Sequence, residues 1–131
     1  MAAKSYVLDN EIINVYLRNQ VATVAPVATA YVALYTVAPT AAGGGTEVAG
    51  FLYARTAVTM GAPVNGVSSN SAPCTFVAAT GGDWGLVAAM AIFDDLVAGN
   101  MLYFGNLGTS KQVSDGDQVS FGVGALQVTE A

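Results

Sequence analysis

From residue 28 onward the sequence breaks into short runs of β-branched, aromatic and small apolar residues, separated by clusters of Gly, Asn and Asp. Thr29 to Val37 (TAYVALYTV) sets the pattern, with Tyr31, Ala33 and Tyr35 on one face and Val32, Leu34 and Thr36 on the other. A strict period of two is that of a strand, since successive side chains leave a pleated backbone on opposite sides. Further strand candidates are Ala54 to Met60, Cys74 to Ala78, Leu86 to Phe93, Met101 to Asn106, Gln118 to Phe121 and Ala125 to Thr129. Between them stand Gly43-Gly44-Gly45, Asn65-Gly66, Gly81-Gly82-Asp83, Ala98-Gly99-Asn100 and Asp115-Gly116-Asp117, residue types that accept the dihedrals of tight reversals. A chain built this way folds as a mainly β domain. The expectation is an antiparallel β-sandwich or jelly roll of about seven or eight strands. Leu86 to Phe93 is apolar almost throughout, which predicts a central strand covered on both faces. Its Ala88, Ala89 and Ala91 predict a close neighbour, with Trp84 or an N-terminal helix as candidates.

The first 27 residues obey a different period. In residues 5 to 18 (SYVLDNEIINVYLR), Leu8, Ile12, Val15 and Tyr16 recur at helical spacing, and Ile13 and Leu17 widen the stripe. Ser5 is placed to cap this helix, with Asp9 in its first turn and Arg18 in its last. The division that follows is a helix and linker arm over 1–27 and a β-sandwich over 28–131. The stripe serves equally well against the chain's own sheet or against a neighbouring protein.

Composition narrows function. Apolar residues make up 53% of the 131 residues and charged residues 10%, against about 25% charged in an ordinary soluble domain. Four Lys or Arg and nine Asp or Glu cannot dominate the exterior, so apolar and small side chains face outward or face another protein. The formal net charge of −5 argues against nucleic acid, whose phosphates need clustered cations; Lys4, Arg18, Arg55 and Lys111 are few and scattered. No charged residue lies between Arg18 and Glu47, but Pro26, Pro39 and the glycines speak against a membrane span there. No signal peptide is evident at Met1 to Ser5.

Reactive chemistry is scarce. The absence of histidine excludes Ser-His-Asp and Cys-His hydrolases and histidine metal sites. The single Cys74 has no disulfide partner and reads as a small buried hydrophobe. Asp94-Asp95 and Asp115-Gly116-Asp117 are the only paired carboxylates worth testing for glycan hydrolysis or an ion, and both read as turn formers. No enzyme activity, cofactor or metal is expected. Trp84 reads as a core cap and, less readily, as a contact anchor; Arg55 braces the Glu47 loop or reaches a partner, and the sequence leaves that open.

Residues 33 to 60 (ALYTVAPTAAGGGTEVAGFLYARTAVTM) resemble a family of small bacteriophage virion proteins labelled tail fibre, head fibre or minor structural protein. TFVAATGGDWG (75 to 85), IFDD (92 to 95), GNMLYFGNL (99 to 107) and GDQVSFGVGAL (116 to 126) follow in that family's order. Val87 to Ala91 departs from it, being less polar. The resemblance implies a virion component. A chain this short leaves no room for a fibre shaft, which favours a capsid decoration or cement protein on the capsid exterior, often trimeric and bound to the major capsid protein or another virion protein. A short tail or tail-fibre subunit contacting the host surface is the second expectation. For the contact surface the expected residues are Leu8, Ile12 and Tyr16 of the helix with Val24 and Val27 of the arm.

Overall fold

A computed structural model describes residues 3–130. It is mainly β with antiparallel pairing throughout and one helix. The strands are β1 (Ala3–Lys4), β2 (Ala30–Val37), β3 (Thr46–Glu47), β4 (Thr56–Val58), β5 (Val67–Ser69), β6 (Cys74–Thr75), β7 (Gly85–Phe93), β8 (Met101–Val113), β9 (Ser120–Phe121) and β10 (Gln127–Thr129). Ten strands among the described residues exceed the seven or eight expected. The additions are two- and three-residue pieces (β1, β3 and β5) too short to show any period.

Six strands form the main sheet in the order β1-β8-β7-β2-β3, with β4 beside β3 on the outer edge of β2. Two ribbons, β5 with β10 and β6 with β9, lie outside it. β7 is central, between β8 and β2, as its unbroken apolar run requires. Alternation along β2 and β7 divides the core. Val32, Leu34, Val87, Met90 and Ile92 face a cluster completed by Cys74, Phe76, Val119, Leu126 and Val128. Ala33, Tyr35, Ala89, Ala91, Phe93 and Met101 form a second cluster on the opposite face. The alanines of β7 therefore make room for Tyr35, Phe93 and Met101. Trp84 belongs to the other cluster, correcting that candidate: Gly85 begins β7 at φ +96°, and the chain enters from the ribbon side.

Polar groups brace the sheet edges. Arg55 reaches Glu47 through Nε at 3.0 Å and Nη2 at 2.9 Å, and its guanidinium stands 3.7 Å from the centre of the Phe93 ring. Its Nη1 donates to the carbonyls of Asp95 and Ala98. Arg55 thus braces the Glu47 loop within the chain. The Tyr53 hydroxyl donates to Glu47 at 2.7 Å and accepts from the Leu34 amide at 3.0 Å. Burial, with the Glu47 carboxylate beside it, raises the Tyr53 pKa well above the ordinary phenol range.

Candidate assembly interface

Helix α1 (Tyr6–Leu17) starts where the sequence predicts, and its start is fastened to the sheet. The Ser5 hydroxyl accepts from the Leu8 amide at 3.3 Å and donates to the Met101 carbonyl, while the Ser5 amide donates to Leu102. The Tyr6 amide donates to the Ala41 carbonyl of the β2–β3 connection. Lys4 bridges Asp9 at 3.7 Å and Glu130 at 3.0 Å. The helix closes at Leu17. Arg18 is its C-cap and not part of its last turn; Asn19 takes φ +53° and turns the chain back.

After that reversal the arm runs along the helix and is held by Glu11, the one helix residue that is buried. Its carboxylate accepts from the Thr23 amide at 2.9 Å, the Val24 amide at 3.1 Å and the Thr23 hydroxyl. Bonding from the Thr23 hydroxyl first, then from the Val24 amide, holds the Glu11 pKa below the usual carboxylate range. Sequence reasoning missed this residue. The signal in the sequence was slight: Glu11 stands at the edge of the apolar stripe, three residues after Leu8 and four before Val15.

Between helix and arm lies an apolar groove of about 250 Å³. Leu8, Ile12, Tyr16, Val24 and Val27 all line it, with Leu102 of β8. Leu8, Ile12 and Val15 are half-buried. From the groove's rim the stripe turns outward: Tyr16 at the rim and Leu17 are each 80% exposed, and Val21 is 89% exposed. The helix thus lays a thin strip of its apolar surface on its own chain and presents the rest to solvent. Such a surface can bury area against another protein, at roughly 25 cal/mol per Å² before association costs.

The other candidates hold turns or fill the core. Asp94 accepts from the Asn100 amide at 2.6 Å and its side-chain nitrogen at 2.9 Å. Asp115 accepts from Gly81, and Asp117 accepts from the Ser114 amide. Among the described residues no group of three or more Asp, Glu, Cys or His is placed to hold a metal ion. Cys74 is buried, which pushes its thiol up to about 11. Trp84 is buried and donates its indole N–H to the Phe51 carbonyl at 3.0 Å. No described helix is long and apolar enough to cross a membrane.

The model of one protein family, described as podophage GP4 fiber I protein gp80, matches residues 3–129. No curated protein matches the chain.

Proposed function

The chain belongs to the podophage GP4 fiber I protein gp80 family, a family of phage virion fibre proteins, and from that premise we propose that it is a small fibre subunit attached to the particle through its helix and arm. In this reading residues 1–27 are the attachment segment, residues 28–131 are the projecting β domain, and Leu8, Ile12, Tyr16, Val24 and Val27 line the contact. The observation that carries it is the apolar surface of α1 and the arm, where Tyr6, Ile13, Tyr16, Leu17 and Val21 stand exposed. Isolated exposed apolar residues are ordinary, but a contiguous set on one helix and its arm marks a surface meant to be covered. The partners are other copies of the chain, with a trimer as the expected order, and a neighbouring virion protein. No reactive chemistry is needed for this role.

A capsid decoration protein is the second reading, favoured by the low proportion of charged residues. The family description supports the fibre. Quantitative mass spectrometry of purified virions, paired with antibody-gold labelling, separates the two. A low copy number with label on fibres is expected; hundreds of copies spread over the head would replace the fibre by the decoration role.

A further inference from the structure

A second concave surface shares no residue with the helix groove. Val87 pairs with Lys111 and Ala89 with Asn106, so one residue of β7 faces four of β8 and residues 107–110 leave the ladder. The excursion raises one wall of a groove of about 320 Å³; β9 and the turn leading into β10 make the other. That volume is at the lower end of the range of small-ligand sites. Buried Val87, Met90 and Leu126 form its floor. Phe121 stands at one side, its ring fixed edge-on against Phe76 at 6.3 Å.

The rim is polar and unengaged. Asn106, Lys111 and Gln127 line the groove and are exposed, and their side chains make no hydrogen bond or ion pair among the described residues. The other cations are committed: Lys4 to Asp9 and Glu130, Arg55 to Glu47, Arg18 to Asn14. The chain carries nine acidic residues against four basic ones, yet no Asp or Glu lines this groove. Lys111 is thus the one charged residue in the groove lining, and its positive charge favours an anionic ligand there.

We propose that this groove binds an acidic oligosaccharide. Each side-chain amide offers a donor beside an acceptor, which matches vicinal hydroxyls, and the ammonium of Lys111 matches a sugar carboxylate. The Phe121 ring offers an apolar side for the C–H face of a sugar. An extended peptide is a poorer occupant, because strand addition needs an unbroken row of backbone groups and residues 107–110 interrupt that row on β8.

The test titrates the full-length chain with tetragalacturonic acid, with maltotetraose and with inorganic phosphate, following backbone amide resonances by NMR. Saturable shifts centred on Gly105, Leu107, Gly108 and Gln127 are expected with the acidic sugar, and much weaker ones with the neutral sugar or phosphate. Lys111→Gln, at an exposed position that leaves the core untouched, should weaken the acidic sugar about tenfold, the size of one charge-assisted hydrogen bond. Asn106→Ala combined with Gln127→Ala should weaken it further. Equal binding of maltotetraose, equal binding of phosphate, shifts lying outside the groove, no saturable binding, or indifference to Lys111→Gln would each overturn the proposal.

Discussion

Gly45 has φ +74°, and a Cβ at that position would stand 2.6 Å from the Val37 carbonyl oxygen. Gly44 also has positive φ, at +78°, but its missing Cβ would meet nothing within 4 Å. The two neighbours therefore separate conformational cost from steric cost. Gly44→Ala should cost about 1 kcal/mol, the left-handed penalty alone, whereas Gly45→Ala should lower the denaturation midpoint distinctly more; equal midpoints would contradict the close approach. Glu11 gives a pH prediction. Its pKa in the folded chain lies below the unfolded value, so its contribution is fully present above the unfolded carboxylate pKa and is lost as pH falls through the lower folded one. Amide hydrogen exchange at Thr23 and Val24 should accelerate over that acid window beyond the intrinsic pH dependence, and Glu11→Gln should show the faster exchange already at neutral pH.

At the scale of elements, the ribbons depend on single polar residues more than on length. Asn70 is buried, and its side chain donates to the carbonyls of Ala72 and Gly122 at 2.9 Å each while accepting from the Leu126 amide at 2.9 Å. One amide thus ties the end of β5 to the connection between β9 and β10. Asn70→Ala would leave the Leu126 amide and the Ala72 carbonyl without these partners, while the Gly122 carbonyl keeps the Ala125 amide, at a cost of about 2 kcal/mol in chemical denaturation. Asn70→Asp should be no better, since it replaces the two donors by a buried charge. The main sheet is less exposed to such a loss because β2, β7 and β8 share long ladders. The helix is an intermediate case: Ser5 and Tyr6 fix its start, Glu11 fixes the arm, and its last turn carries little packing.

For the whole molecule, the proposed role puts stability and assembly on different surfaces. Leu17→Asp, and Tyr16→Asp independently, should leave the unfolding midpoint within about 0.5 kcal/mol of the parent, as for exposed positions generally. Both should abolish incorporation into virions when supplied as the only copy; particles of normal content would remove the helix from the contact. Much of this architecture was legible in the chain. The period of two in Tyr31 to Thr36, the apolar run of β7, the Ser5 cap and the glycine turns each reflect a local rule, because pleat, cap and positive φ are decided by residues within a few positions of one another. The landmarks of the virion family were legible for the same reason, as short segments in a fixed order. What the chain could not reveal was set by partners distant in sequence. Two-residue strands such as Ala3–Lys4 and Thr46–Glu47 exist only because Tyr103, Phe104, Tyr35 and Val37 lie opposite them. The excursion at 107–110, the burial of Glu11 by an arm twelve residues on, and the choice of Glu47 for Arg55 likewise depend on which backbones meet. Hydrophobic period is a property of neighbours along the chain; register and polar pairing are properties of neighbours in space, and only the folded molecule brings those together.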